Sequence, residues 1–244
     1  EPLHLRVLFL RLLIRIKLKY AIIEKIAFQS ILHYQKALKL LQEKKIKCWI
    51  NCPRRTFSSY KKLKNKLKNN QVMLISGSNW SLLSNSIHFL DLYEYLFDSK
   101  KIKLISSNLS NDVLKTKRKG YINMKGNLIF KNDQNNFLVL NEDNLDKKLS
   151  IEFFNQNNTF KIIQHKNLLV QYLNKSNNHK TYKDFYHPYQ SEITKKYVLD
   201  IIKKGKCELP TLKKSYNLHK LIIEEVIQIL SKLYSKKISL APIT

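Results

Sequence analysis

Ser84, His88, Asp91 and Tyr95 fall at i, i+4, i+7 and i+11 of an otherwise apolar stretch, Trp80–Leu96, so a helix there carries them on one face. A polar stripe on a buried helix must meet partners or a cavity. Histidine has an ordinary pKa near ~6.5, which suits proton transfer at neutral pH, and an aspartate one turn on can orient the imidazole. The same pattern fits a core histidine bonded to Asp91 or to a backbone carbonyl. Two strand ends carry further reactive types. Glu24-Lys25 closes the apolar run Tyr20–Ile26. A lysine there is placed to meet a ligand's hydroxyl or carbonyl, or else snorkels its head into water. Asn51-Cys52-Pro53-Arg54-Arg55 closes Ile46–Cys52. Arg54 and Arg55 can grip a phosphate or carboxylate through two parallel hydrogen bonds, or remain a solvated pair.

The elements that must position these groups follow from periodicity. Tyr20–Ile26 and Ile46–Cys52 are short apolar strands, and Ser30–Lys45 between them has Ile31, Leu38 and Leu41 at helical spacing. Strand, helix and strand in so short a span make a βαβ unit with parallel strands. Leu3–Leu18 is apolar but broken by Arg6, Arg11, Arg15 and Lys17, which fits a helix packed on that sheet better than a signal peptide. A basic helix over Phe57–Leu67, a strand over Gln71–Ile75 and a turn or cap at Gly77-Ser78-Asn79 lead into the Trp80–Leu96 helix. From Ile102 to about Leu173, short alternating runs separated by Asn, Asp, Lys and Gly predict an antiparallel sheet. Tyr121, Ile129, Phe137, Val139 and Phe153 would leave that sheet an apolar face suited to self-association. Asn174–Lys183 reads as a polar loop, and Ser191–Lys204 and Ser215–Tyr234 as closing helices.

Composition bounds the function. The 244 residues are 43% hydrophobic, a globular composition. The formal charge of +27 invites a nucleic-acid or anionic-membrane partner. Against that partner, lysines are spread along the whole chain, Asn and Ile are abundant and Gly numbers only 4, as compositional drift produces. The link between the closing helices is also far longer than the ~3–4 residues of a helix-turn-helix, and the aromatics do not repeat as stacking platforms. Cys48, Cys52 and Cys207 are too few and too odd for a disulfide framework, and Cys48-x3-Cys52 lacks zinc-ligand spacing, so no metal is assigned and a reducing cytoplasm is the default. No uncharged run approaches the ~18 residues of a membrane span.

Taken in order, IIEK, INCPRR and GSNWSLLSNSIHFLDL resemble the glucose–fructose oxidoreductase/inositol dehydrogenase (Gfo/Idh/MocA) family. That family has a strand ending in Glu-Lys, a helix, a strand ending in an Asn-x-Arg-like motif, and a turn into an apolar helix with spaced His and Asp. KTKRKGYINMKGNL resembles the opening of its large sheet, and YQSEITKKYVLDIIKKGKCELPTLKKSYNLHKLI its closing helices, so the resemblance runs from about Leu18 to Leu233. It is nearest to the subgroup encoded with surface-polysaccharide genes, which implies a sugar or nucleotide-sugar substrate, a homo-oligomer formed through the sheet face, and hydride transfer with NAD or NADP. The resemblance also assigns roles. Lys25 would polarise the reacting oxygen, His88 would exchange the proton and Asp91 would orient His88. Glu24, Lys25 and Asn51 would contact the cofactor, and Arg54, Arg55 and Lys117 the substrate.

Two departures qualify it. No G-x-G-x-x-G occurs anywhere, so the resemblance implies a chain that lacks the first half of the dinucleotide fold and binds the cofactor weakly or not at all by itself. Ser84 also stands one turn before His88, where the family often has Asp. The expected architecture is α/β plus α+β. A partial Rossmann-like remnant over residues 1–55 precedes a mixed, largely antiparallel sheet domain with helices over residues 56–244, for substrate and oligomerisation. A nucleic-acid-binding protein and a non-catalytic relic or subunit of the same fold are the alternatives.

Overall fold

The computed structural model describes residues 17–67, 70–174, 176 and 178–244. All but the last two residues of the expected Leu3–Leu18 helix lie outside them. By contact the chain divides into two units. One gathers the described residues up to Cys52 with Asn111–Asn123 and Leu209–Thr244, and the other comprises Pro53–Ser110 and Met124–Glu208. The units interleave along the chain, whereas the sequence suggested two consecutive segments.

The first unit is built on the expected βαβ. Strand β1 (Tyr20–Ile23) runs parallel to β2 (Lys47–Ile50), joined by helix α1 (Ile31–Glu43). Ser30 caps α1 by accepting from the His33 N–H, which satisfies one of the donors a helix start leaves open. β1 stops sooner than expected, so Glu24 and Lys25 follow the strand rather than end it. The 22-residue helix α5 (Leu212–Leu233) buries Leu218, Ile222, Val226 and Leu230 at helical spacing and packs on α1 and β2. The segment around Lys117, expected to open the large sheet, instead forms a small hairpin of β5 (Leu114–Lys115) and β6 (Ile122–Asn123) in this unit. Two-residue strands bordered by Lys, Arg and Gly have too little apolar alternation to reveal which sheet they join.

The second unit is an eight-stranded mixed sheet with spatial order β12-β11-β10-β9-β3-β8-β7-β4. Its strands are β3 (Val72–Ser78), β4 (Ile102–Leu109), β7 (Gly126–Asn132), β8 (Phe137–Asp143), β9 (Ser150–Phe154), β10 (Asn158–Ile163), β11 (Leu168–Leu173) and β12 (His179–Tyr182). Every pairing is antiparallel except β3 with β8. Period-2 alternation sends Met73, Ile75, Leu128, Phe130, Leu138, Leu140, Ile151 and Phe153 to one buried face. The edge strand β12 reads His-Lys-Thr-Tyr, polar throughout, which is why it passed for a loop. Gly77 lies in β3 rather than in a turn, and glycine is needed there, since a Cβ would come within 2.9 Å of the Leu149 Cα. No helix among the described residues is long and apolar enough to cross a membrane.

Helices α2 (Ser58–Lys64), α3 (Leu82–Leu96) and α4 (Gln190–Lys204) complete this unit. α4 ends at Gly205, whose φ of 63° is the left-handed conformation glycine adopts without strain. α3 starts two residues later than expected, since Asn79 and Ser81 take positive φ and Ser81 gives no side-chain cap. Its cap comes from elsewhere in the sequence. The buried Glu142 carboxylate, on β8, accepts from Leu82 N at 2.5 Å and Ser81 N at 3.3 Å, placing negative charge on the positive end of the helix. Glu142→Ala is expected to lower stability by about 1–2 kcal/mol, the usual worth of a helix cap, with Glu142→Gln losing less. Chemical denaturation checks this, and an unchanged Glu142→Ala midpoint would show that the cap contributes nothing.

Candidate functional site

The second unit contains a cavity of about 370 Å³ lined by Pro53, Arg54, Phe57, Trp80, Asn85, His88, Phe89, Leu149, Gln164, His187, Pro188 and Gln190. Three elements place its central groups. The Pro53–Thr56 3-10 turn carries Arg54, α3 carries His88 and Phe89, and the segment before α4 carries His187.

The turn and α3 are joined by a buried ion cluster. Arg55 Nε donates to Asp91 Oδ2 at 2.8 Å, and its Nη2 reaches Glu94 Oε2 at 2.8 Å and the Asp91 carbonyl at 3.2 Å. The side chains of Arg55 and Asp91 are only 8% and 0% exposed. Burial works against the Arg55 charge, but Asp91 and then Glu94 more than compensate and raise its pKa above the ordinary arginine value. The polar stripe read from the sequence therefore divides. His88 meets the cavity, Asp91 is engaged by Arg55, and Tyr95 lies under the cations of Lys64 (4.5 Å) and Arg55 (5.6 Å). Arg55, expected to contact substrate, does not line the cavity, because two carboxylates draw it inward. Asp91, expected to orient His88, gives one oxygen to Arg55, since three residues along a helix turn a side chain ~60° away from its starting face.

Arg54 points the other way. Its guanidinium carbon stacks 4.7 Å from the Phe89 ring centroid, and Nη1 donates to the Tyr60 hydroxyl at 3.4 Å. That hydroxyl lies 3.2 Å from His187 Nε2, which also meets the Gln164 amide nitrogen at 3.3 Å. With the Gln164 amide oriented to donate, Nε2 is the acceptor and the ring proton belongs on Nδ1. Burial first, and the Arg54 charge second, lower the His187 pKa to about 4, against a backbone hydrogen bond at Phe185 that raises it. Sequence reading missed His187 and Gln164. His187-Pro188 within the aromatic run Phe185–Tyr189 was the available signal, masked by its position between a polar loop and a helix.

In the first unit, Glu24, Lys25 and Asn51 gather at the carboxyl ends of β1 and β2, where open parallel sheets bind ligands. Asn51 is 7% exposed, and its Nδ2 donates to Glu24 Oε1. Asn51 Oδ1 is buried with no hydrogen-bond partner. Lys25 Nζ donates to the Thr244 carbonyl at 3.3 Å, and Arg118 Nη1 to Thr244 Oγ1 at 3.1 Å, so the β5–β6 turn reaches the same residue as Lys25. Lys117 itself is exposed in that turn. The turn after Lys25 is held by the buried His219 of α5, whose Nε2 accepts from Ala27 N at 3.4 Å while Nδ1 lies 2.9 Å from the Ser215 carbonyl. Asn51 thus presents a buried acceptor without a partner, next to the Glu24 carboxylate that its own amide nitrogen binds. Cys48 offers no reactive thiol, since burial pushes its pKa up to about 12.

Solved structures share this fold. A UDP-N-acetylglucosamine 3-dehydrogenase, GnnA, from Acidithiobacillus ferrooxidans aligns over 99% of this chain and 76% of its own, with TM-score 0.63 at 9% identity. An oxidoreductase from Agrobacterium radiobacter, solved with NAD+, L-tartaric acid and magnesium, aligns over 90% and 73%, with TM-score 0.65 at 10% identity. The chain has the fold of these oxidoreductases. The transcriptional regulator Gal80p of Kluyveromyces lactis also has it, with 98% and 72% covered, TM-score 0.64 and 17% identity. No family model and no curated protein matches the chain. The α/β plus α+β architecture with a Rossmann-like part is thus the one the sequence resemblance implied.

His187 provides a pH test. Its folded pKa, about 4, lies below the ordinary 6.5, so between those values the unfolded chain binds more protons. Stability from this group is complete above about pH 6.5 and is lost as pH falls toward 4. The His187 ring signal in NMR is expected to titrate near pH 4, and His187→Gln to flatten the acid slope of stability. A midpoint near the ordinary histidine value would contradict the buried, cation-facing environment.

Proposed function

We propose that the chain carries the substrate cavity and the nicotinamide-side groups of an NAD(P)-dependent oxidoreductase acting on a sugar or nucleotide-sugar, in the cytoplasm and in surface-polysaccharide synthesis. The observation that carries this is the cavity lining. Aromatic walls at Phe57, Trp80 and Phe89 alternate with the hydrogen-bonding Arg54, Asn85, His88, Gln164 and Gln190, a surface matched to a ring with one apolar face and a rim of hydroxyls. GnnA supports the nucleotide-sugar class by analogy of fold.

When bound, a nicotinamide dinucleotide supplies the hydride acceptor or donor. The protein supplies placement and protons. In the oxidising direction an imidazole nitrogen of His88 would take the proton of a substrate hydroxyl, and in the first unit the Lys25 ammonium would stabilise negative charge on a bound oxygen. Asp91 acts at one remove, since its pairing with Arg55 fixes the helix that bears His88. Asn51 Oδ1 would accept from an amide or hydroxyl of the cofactor, with Glu24 and Lys25 beside it. Arg54 would contact the substrate. Exposed Lys117 is a peripheral contact. The chain has no Gly-rich pyrophosphate turn, so cofactor binding by these residues alone is weak, and activity is to be sought at millimolar NAD+ or NADP+.

Under those conditions His88→Ala and Lys25→Met are each expected to lower kcat on the best sugar substrate about 10²–10⁴-fold, the usual worth of a positioned proton-transfer group. An unaltered kcat in both variants would remove the assignment. A non-catalytic protein is the second reading, favoured by the likeness to a transcriptional regulator. It requires sugar binding without cofactor reduction.

The same proposal includes a homodimer formed through the sheet face opposite α3. Register puts Ile129 beside Val139 and Val139 beside Leu74, while Val72 lies between Phe137 and Phe154. These six apolar side chains are half-buried on that face. Phe153, counted with them from the sequence, points to the core, and Tyr121 belongs to the other unit. Light scattering is expected to give twice 29.0 kDa for the native chain and 29.0 kDa for Val139→Lys. A native monomer at high concentration would contradict the dimer.

A further inference from the structure

Arg54 and Arg55 are adjacent in sequence but end in opposite electrostatic situations. Arg55 is buried and matched by two carboxylates. Arg54 lines the cavity, stacked on Phe89 and touching the Tyr60 hydroxyl, and among the described residues it forms no ion pair. Among the described residues, the cavity's ionisable lining groups are Arg54, His88 and His187, with no aspartate or glutamate. Asn85, Gln164 and Gln190 supply neutral amides. A half-buried guanidinium without a counter-charge is costly, and a bound anion offsets that cost. Its seat over the Phe89 ring restrains the guanidinium, and a guanidinium can fork two N–H groups onto the oxygens of one anion.

We propose that the cavity selects a substrate by an anionic substituent held by Arg54, and that its ligand is a monosaccharide bearing a carboxylate, of the uronic-acid type. About 370 Å³ lies at the low end of the ~300–1,000 Å³ range of small-molecule sites, which accommodates one charged sugar ring better than a whole nucleotide-sugar. A phosphoryl group on the sugar would use the same donors. His187 contributes hydrogen bonding rather than charge near neutral pH. It faces Arg54, Tyr60, Gln164, Phe57 and Phe185, and its ring is held neutral by burial and by Arg54. An anion on Arg54 therefore raises the pH at which His187 takes a proton. The sugar part of this proposal rests on the oxidoreductase reading, but the anion part does not.

The test is calorimetric titration of the intact chain with D-glucuronate, D-glucose and D-glucose 6-phosphate at fixed salt, using the native protein, Arg54→Gln, Arg54→Lys and a Lys195→Gln control outside the cavity. At least one anionic sugar is expected to bind 10-fold or more tighter than glucose. Arg54→Gln abolishes the preference, Arg54→Lys keeps part of it, and Lys195→Gln leaves it intact. Glucuronate as the tighter ligand supports the carboxylate, while glucose 6-phosphate alone overturns that choice and keeps the Arg54 anion site. The His187 titration is expected to move up by a measurable fraction of a pH unit only with the anionic ligand. Equal binding of glucose and both anions, or a preference that survives Arg54→Gln in a folded variant, overturns the proposal. The titration reads no cofactor reduction, so failure of the oxidoreductase reading in its own activity assay leaves the Arg54 anion site standing.

Discussion

The cluster of Arg55 with Asp91 and Glu94 is the interaction on which the candidate substrate cavity depends. It is almost wholly removed from water. Such a cluster adds little net stability compared with apolar packing, but losing one member typically costs about 3–5 kcal/mol, because a charge is left buried without its counterpart. That asymmetry makes the cluster an all-or-nothing register device. It locks the Pro53–Thr56 turn to one turn of α3. Arg54 is the neighbour of Arg55 in the turn, and His88 lies one helical turn before Asp91, so both cavity groups inherit their positions from it. Glu142 fixes the other end of the same helix, and the Tyr93 hydroxyl, 2.5 Å from the Asn136 carbonyl, fixes it near the sheet.

Much of this was legible in the sequence. Apolar periodicity identified the βαβ, the α3 helix and the antiparallel sheet, because each buries one face and leaves a period of 2 or 3.6 residues. Paired residue types at strand ends drew attention to Lys25, Asn51 and Arg54. Non-local chemistry was not legible. Which of two adjacent arginines turns inward depends on carboxylates 36 and 39 residues away, and nothing local distinguishes them. The cap of α3 comes from Glu142, 60 positions beyond Leu82. β12 is polar and the β5–β6 strands are two residues long, so neither gives a periodic signal. His187 reaches the cavity through the Tyr60 hydroxyl and the Gln164 amide, contacts between segments that sequence spacing does not relate.

Charge needs the same separation of local from global. Among the described residues, lysines and arginines occur in strands, helices and turns alike. At the cavity the relevant fact is narrower: among the described residues it is lined by one guanidinium, two imidazoles and no carboxylate. A fold shared between nucleotide-sugar and NAD+-bound oxidoreductases on one side and a transcriptional regulator on the other does not decide catalysis. The proposed reading rests on the groups that each unit carries: His88 at the cavity of the second, and Glu24, Lys25 and the buried Asn51 acceptor in the first.

Label transfer tests that account most directly. The chain is incubated with millimolar nicotinamide cofactor deuterated at C4 and a panel of keto-sugars and keto-uronic acids, and the products are read by mass spectrometry and NMR. The expected result is one deuterium at a single ring carbon with one configuration, abolished in His88→Ala. Sugar that binds in the cavity but takes no label from either NADH or NADPH would contradict the account.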